Sequence, residues 1–371
     1  MIDISAAPDW LTDLAPNLIR MLPPNVQTAF MQAPGLVMAF VSMGLSAIII
    51  AVFWIMRGMM KASQAAQMAL RAQALRRAKD HRALILIAGV QGGSHQLREE
   101  MKEAIEDNFG LFAFQSDVQV EFFPIKLKTL SPNAPAEKQR LVASDALEAL
   151  ERSAADLVVW GRKTMGGKLD LRVTTVPAYG RVQEIQNFML AWRVGRPAEL
   201  VQRALGYVCA RKARPVLNRP QDYKPERLQP IVEALDEMTQ VSRDEISEDV
   251  LLDILSDFAS GALSLGERGG DIKWLQKALD ARMRFVDRVD RSSDPGAWGA
   301  AQQEIGRALA ALGEREGARD KLEEAVSRLR IAMDALRATE SLQHAQVAMK
   351  ALQRAENTLQ QRRRIGLRWP V

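Results

Sequence analysis

The 22 residues from Gly35 to Met56, GLVMAFVSMGLSAIIIAVFWIM, carry no charge and are mostly apolar. As a helix rising about 1.5 Å per residue, such a run is roughly 33 Å long, close to the ~30 Å hydrocarbon core of a bilayer. A buried helix of a water-soluble domain would keep a polar stripe over that length, so the run reads as a transmembrane helix. A cleaved signal peptide would place its positive residues first. Here residues 1–34 hold Asp3, Asp9 and Asp13 against Arg20, and positive charge follows the run at Arg57, Lys61, Arg71, Arg76, Arg77, Lys79 and Arg82. Lys and Arg beside a span are retained on the cytoplasmic side, which puts residues 1–34 outside and everything after Arg57 inside. Trp54 suits the membrane–water boundary, and the small pairs Ser42 with Ser46 and Gly35 with Ala39 permit close helix pairing.

The chain of 371 residues has a net charge of +5, and that charge is local. Residues 1–34 carry −2 and residues 57–82 carry +6, leaving about +1 for the rest. A nucleic-acid binder would show a basic face on a folded domain, with aromatics or a recognition helix beside it. None is visible apart from the tail run Arg362, Arg363, Arg364 and Arg368, so no nucleic acid is expected. One Cys excludes an internal disulfide framework or a multi-thiolate zinc site, and His81, His95 and His344 are too far apart for a His-rich metal centre. Neither a metal nor a cofactor is expected. On the outer side Trp10, Leu11, Leu14 and Leu18 fall at helical spacing, either lying along the membrane surface or forming a tail. The basic helix 57–82 either contacts anionic lipid through Arg71, Arg76 and Arg77 or acts as a topology signal alone.

From residue 83 the periodicity changes to that of an α/β domain, 83–217. The apolar run ALILIAGV (83–90) suits a buried strand, and the helix 95–110 follows, with Ser94 as its N-cap and Gly110 as its C-terminal glycine. Strands 117–124 and 156–161 flank a second helix, an order that argues for parallel pairing. Strand 168–176 alternates polar and apolar residues, 181–190 can pair beside it, and the helix 197–213, with Cys209 on its packed face, closes the domain. The loop Gly89, Gly92, Gly93, Ser94, His95 sits where phosphate-binding loops sit, at a helix N-terminus. It lacks the Walker A lysine and does not match G-x-G-x-x-G, and a tight strand-to-helix turn needs the same glycines. No catalytic constellation stands out. The order of elements, with ADLVVWGR (155–162), resembles the bacterial TolB N-terminal and FlgO-like α/β modules. That resemblance implies a structural or interaction domain, while the span 35–56 with its basic flank puts the chain in a bacterial inner membrane.

Residues 222–371 read as helical. LSLGERGGDIKWLQKAL (263–279) aligns without gaps to the stretch from 310 to 326, with Leu265, Gly266, Glu267, Arg268, Gly270, Leu275 and Ala278 matching Leu312, Gly313, Glu314, Arg315, Gly317, Leu322 and Ala325. The second copy resembles a tetratricopeptide repeat through Ile305, Gly306, Leu309, Ala318, Leu322 and Ala325. In the first copy Phe258, Ala259, Ala262, Leu275 and Ala278 take these places, and Asp271 stands where a small alanine belongs. The offset of 47 exceeds the family's usual ~34, so longer helices or an extended linker are expected, with helices 225–241 and 341–363 capping the stack. The resemblance implies a concave groove that binds a protein partner and presents Asp253, Ser256, Ser260, Gln303 and Arg307.

The expected architecture is thus a single transmembrane helix, a mixed α/β sheet domain with flanking helices, and an all-α repeat array. The expected function is a membrane-anchored, non-catalytic adaptor with cytoplasmic domains. The alternative is a membrane-tethered sensor or enzyme that binds a phosphate-containing small molecule at Gly89–His95.

Overall fold

A computed structural model describes residues 34–78, 82–125, 127–130, 134–176, 185–213, 220–339 and 341–366, without side chains at 34–42, 60–65, 78, 136, 139, 221 and 363–366. The expectations for residues 1–33, for Ser42, Gly35 and Ala39 as pairing residues, and for Arg363, Arg364 and Arg368 lie outside the described residues. Contacts divide the chain into residues 1–70 and 71–371.

Helix α1, Pro34–Ala78, runs unbroken for 45 residues. Within it Ile48, Ile49, Phe53, Trp54 and Ile55 are 60–66 % exposed, and the Arg57 guanidinium lies 6.0 Å from the centroid of the Trp54 ring. Among the described residues no helix is long and apolar enough to cross a membrane; the large apolar side chains described in α1 begin at Met43. Arg71 pairs with Glu121 at 3.5 Å, while Arg76 and Arg77 in the last turn are exposed.

In the remainder of the chain, β1 (Ala83–Ile87), α2 (His95–Phe112), β2 (Val118–Phe122), α3 (Ala136–Ser153), β3 (Leu157–Lys163), β4 (Lys168–Thr175), β5 (Ile185–Ala191) and α4 (Glu199–Ala213) follow in order. They form one mixed sheet in the order β2-β1-β3-β4-β5. β1 lies parallel to β2 and β3, joined by helical crossovers, whereas β4 and β5 continue antiparallel as the short Gly166-Gly167 turn requires. β1 is buried along its whole length, as its unbroken apolar run implies. Ser94 caps α2, its hydroxyl accepting from the Leu97 amide at 3.1 Å. The expected stop at Gly110 is not where α2 ends. Burial of Phe112 carries the helix on to that residue, and the chain reverses at Phe114 and Gln115, both with positive φ. Cys209 is wholly buried, and that burial pushes its thiol far above the ordinary range.

The C-terminal half is all helical: α5 (Pro225–Met238), α6 (Glu248–Gly269), α7 (Ile272–Val286), α8 (Pro295–Glu316), α9 (Arg319–Ala338) and α10 (Leu342–Gly366). Each packs on the next. The starts obey the 47-residue offset twice over, at 225, 272 and 319 for one set and at 248, 295 and 342 for the other. The repeat therefore extends beyond the two copies seen in sequence. α5 is the second helix of a preceding unit, α10 the first helix of a following one, and Leu228, Leu275 and Leu322 are equivalent buried positions. The long period has a visible source in helices of 22 and 15 residues joined across 287–294.

The matched glycines close each hairpin. A Cβ on Gly266 would stand 2.6 Å from Leu275, and one on Gly313 would stand 2.8 Å from Leu322, so each leucine fills the space its own repeat's glycine leaves. Asp271 and Ala318 are both N-caps, of α7 and α9, rather than helix-packing positions. A small residue is not needed there, and Asp271 accepts from the Lys273 amide. One apolar core runs from Ala83 in β1 through Tyr207 in α4 to Leu312 in α8.

Gly313→Ala is expected to lower the stability of the full chain in detergent by about 1–3 kcal/mol, the range for overpacking a close contact. Gly269→Ala, whose new methyl meets nothing within 4 Å, is expected to be neutral or to stabilise by up to ~1 kcal/mol through backbone entropy. Urea unfolding followed by circular dichroism distinguishes the two; equal effects would refute the glycine–leucine packing.

Candidate functional site

Helices α6, α8 and α10 and residue Pro220 line a cavity of about 560 Å³. Its walls are built by an ion-pair pattern that repeats with the helices. Arg307 on α8 reaches back to Glu267 on α6 through Nε at 3.1 Å and Nη2 at 2.5 Å. One repeat later, Arg354 on α10 reaches Glu314 on α8 at 3.0 and 2.6 Å. Arg315 Nη2 donates to the Glu267 carbonyl at 3.2 Å, and its equivalent Arg362 donates to the Glu314 carbonyl at 2.8 Å. Each unit is thus clamped to its predecessor by a two-point arginine–carboxylate bond and by a second arginine on the helix C-terminal carbonyls, where cations are favoured. Hydrogen bonding and the charge of Glu314 raise the pKa of Arg354.

The floor departs from the pattern at one residue. Leu235, Arg282 and Leu329 are equivalent by the offset, and Arg282 is 5 % exposed. Its guanidinium donates to Glu304 Oε2 at 3.0 and 2.5 Å, to the Ser256 hydroxyl and carbonyl at 3.1 and 3.0 Å, and to Ser260 Oγ at 2.7 Å. Ser260 in turn donates to Glu304 Oε1 at 2.9 Å. Near this floor the Ser264 hydroxyl is buried with no hydrogen-bond partner among the described residues.

Of the five groove residues expected from sequence, Ser260, Gln303 and Arg307 line this cavity. Gln303 is 4 % exposed. Ser256 lies behind them as an acceptor for Arg282. Asp253 belongs elsewhere, to the joint between α4 and α6. There Tyr207 donates to Asp257 at 2.7 Å, and Arg211 donates to Asp257 and pairs with Asp253, each at 2.9 Å. Burial first, then the neighbouring Asp257, raises the Tyr207 pKa well above its usual value. Arg211 is held charged against its desolvation by Asp257, Tyr207 and Asp253. Desolvation raises the Asp253 pKa against the opposing pull of Arg211. Sequence reasoning missed Arg282, Glu304, Glu267 and Arg354. The signal for Arg282 was a charge at the position of Leu235 and Leu329, readable once the repeat frame extends to 225.

Three amides of the loop Gly89–His95 are already engaged within the fold. Gly89 N–H donates to Ile125 O at 3.1 Å, Gln91 N–H to Gly161 O at 2.9 Å and Gly93 N–H to Val90 O at 3.1 Å, while Lys163 N–H donates back to Gln91 O. Gly92 holds a positive φ of 72°. Ser94 is spent on its cap, and His95 is an exposed neighbour of Glu99 at 3.5 Å. Among the described residues no three His, Cys, Asp or Glu side chains are placed to hold a metal ion.

Two outcomes follow. Glu304→Ala leaves the Arg282 guanidinium buried without its carboxylate and is expected to cost about 3–5 kcal/mol, whereas Arg282→Leu with Glu304→Ala is expected to match or exceed the native stability. A double variant as unstable as the single would refute this account of the floor. Because the folded pKa of Asp253 is raised, its contribution to stability is present at acid pH and is lost as pH rises through that folded value. Asp253→Asn is therefore expected to gain stability relative to the native chain between pH ~4 and ~7; a flat difference in urea midpoints across that window would contradict the assignment.

A scan against protein-family models, a search of the curated proteins and a search of the solved structures each return no match to this chain.

Proposed function

We propose that the chain is a non-catalytic adaptor, held in a bacterial inner membrane by residues 35–56, whose cytoplasmic tetratricopeptide-like array docks a protein partner in the cavity between α6, α8 and α10. The observation that carries this reading is Arg282. A buried arginine in a slot that neighbouring repeats fill with leucine costs desolvation, and packing alone gives no reason to keep it. It fixes Glu304, Ser256 and Ser260 as a pre-organised polar floor, and a fixed floor lowers the ordering cost of binding. His344, Val347 and Lys350 on α10 form the opposite side of the same cavity. The alternation of helices at a fixed offset and the glycine–leucine hairpin packing support the tetratricopeptide-like reading.

Anchorage rests on the uncharged run 35–56 together with the exposure of the isoleucines and aromatics of α1 from 48 to 55. Orientation rests on Arg57, Lys61, Arg71, Arg76 and Arg77 following that run. Confining an adaptor to a membrane surface raises the effective concentration of its partners without any new contact. The engaged amides of Gly89, Gln91 and Gly93 favour this reading over a phosphate-binding sensor.

One experiment addresses both parts. Full-length protein in native membranes is expected to resist carbonate extraction, and Ile49→Lys with Ile50→Lys, at about 2.5–3.5 kcal/mol per charge at a span centre, is expected to release it. A photo-crosslinking residue at Val347 is expected to give protein adducts absent from Leu141 on α3. Those adducts should fall about tenfold, equivalent to ~1.4 kcal/mol of binding, in the Arg282→Leu, Glu304→Ala background. Extraction of the native chain would refute the anchor, and equal adducts at Val347 and Leu141 would refute the docking cavity.

A further inference from the structure

The α/β half contains a second polar layer that the adaptor reading does not use. The sheet face carrying Leu157, Val159, Leu169, Leu171 and Val173 joins the main core with α2 and α4. The opposite face of β3 and β4 carries Val158, Trp160, Asp170, Arg172 and Thr174 by strand alternation, and α3 packs across it. Trp160 stands directly opposite Arg172 in the antiparallel register, and Val158 stands opposite Thr174. Residues 127–130 lie over the same place, because Arg172 Nη2 donates to the Leu130 carbonyl at 2.7 Å. Trp160 and Thr174 are 0 % exposed and Arg172 is 6 % exposed.

Four side-chain atoms in this layer have no hydrogen-bond partner among the described residues: Trp160 Nε1, Arg172 Nη1, Thr174 Oγ1 and Thr129 Oγ1. Arg172 Nη1 is 3.2 Å from Asp170 Oδ1, an ion-pair contact without hydrogen-bond alignment. The indole and guanidinium nitrogens are donors and never acceptors, and both hydroxyls can donate. Cross-strand side chains start about 4.5–5.5 Å apart and same-strand neighbours on one face about 6.6 Å apart, so the groups of Trp160, Arg172 and Thr174 fall within reach of one small ligand, and Thr129 adjoins Leu130, whose carbonyl Arg172 holds. Asp170 is also shared. Arg162, whose side chain is 47 % exposed, places Nε 3.0 Å from Asp170 Oδ2, so the buried Arg172 has only part of one carboxylate. Buried polar groups without partners are disfavoured, and a single acceptor carrying one negative charge would meet these donors and complete the neutralisation of Arg172.

We propose that this layer is a binding site for a small oxyanion of single negative charge, a carboxylate or a phosphate monoanion, held by Arg172 and Trp160 and contacted by the hydroxyls of Thr174 and Thr129. The entering anion competes with the Leu130 carbonyl for Arg172, so binding loosens the hold on residues 127–130, which Gln91 Nε2 also contacts at the Leu127 carbonyl at 3.4 Å. Desolvation lowers the Arg172 pKa against the pull of Asp170, and an anion in contact would oppose that shift. The site shares no residue with the cavity lined by Arg307 and Glu267.

The test uses full-length protein in detergent, labelled with 15N at the tryptophan indoles. It is titrated in separate series with sodium acetate and with sodium phosphate, with ionic strength held constant by sodium chloride. The Trp160 resonance is identified by its loss in Trp160→Phe. A saturable shift of that resonance with either anion is expected, and the lower midpoint identifies the preferred class. Thr174→Val, which keeps the shape of the core, is expected to raise the midpoint about tenfold, equivalent to ~1.4 kcal/mol, and Arg172→Gln to abolish the shift. No saturable shift with either anion, or a midpoint unchanged in Thr174→Val, would overturn the proposal even if Arg172→Gln does not fold.

Discussion

The cluster of buried Tyr207 and Asp257 with partly buried Arg211 and Asp253 is the constraint on which the rest of this architecture depends. α4 is the last element of the sheet half and α6 the first full helix of the repeat frame, and the cluster joins them with one phenol, one guanidinium and two carboxylates. On the other side of α4, Gly206 abuts Asn108 of α2 and Tyr207 stacks edge-on against Phe112. A single helix thus carries the sheet's packing on one side and the array's first ion pairs on the other. Each charge in the joint has a partner, which is the condition under which buried charges are tolerated, and Gln186 on β5 adds a donor to Asp253 at 3.1 Å. Register also matters at this joint: the Leu190–Ile246 bridge and the Ala191-to-Glu245 hydrogen bond extend the sheet edge into the segment that leads into α6.

From that joint outward the array is propagated by nearest-neighbour rules, as in repeat proteins generally. Within a hairpin the rule is steric, a glycine opposite a leucine. Between hairpins it is electrostatic, an arginine forty residues downstream of its glutamate, met at Glu267 with Arg307 and again at Glu314 with Arg354. Exposed single salt bridges contribute little, but a bidentate pair backed by a second arginine on the preceding helix's carbonyls fixes the angle between successive units as well as their distance. The cavity follows from that angle, because its walls are the same arginine–glutamate pairs.

How much of this was legible in the sequence depended on how far each signal reached along the chain. Strand β1, the Ser94 cap and the parallel start of the sheet are local matters of apolar runs and turn residues, and they were readable. The repeat was readable where glycine, leucine and glutamate coincide at one offset. It was not readable at α5 and α10, where Gly313 has become Gln360 and the shared features are a lone buried leucine and an arginine. Asp271 looked like a defect in the repeat because a cap and a packing position cannot be told apart without the helix boundary. Asp253 was placed in the groove by the resemblance to a tetratricopeptide repeat, whereas Arg211 on α4 pairs with it at the joint instead. The end of α2 was misplaced because Gly110 is a stop signal by composition, and the burial of Phe112 outweighs it.

Arg282 and Arg172 pose the same physical question and answer it differently. Both are arginines at least nine-tenths buried, and both face a carboxylate. Arg282 has its donors met by Glu304, Ser256 and Ser260, so it specifies a floor and is complete. Arg172 shares Asp170 with Arg162, gives Nη2 to a loop carbonyl and meets Asp170 through Nη1 only as an ion-pair contact without hydrogen-bond alignment, beside an indole and two hydroxyls without partners among the described residues. A guanidinium that is satisfied rigidifies what surrounds it; one that is not remains a standing attraction for any oxyanion able to reach it. The first kind suits an array that must hold its shape while something docks on it. The second suits a domain that answers to a small charged ligand, and the chain keeps the two kinds on different elements.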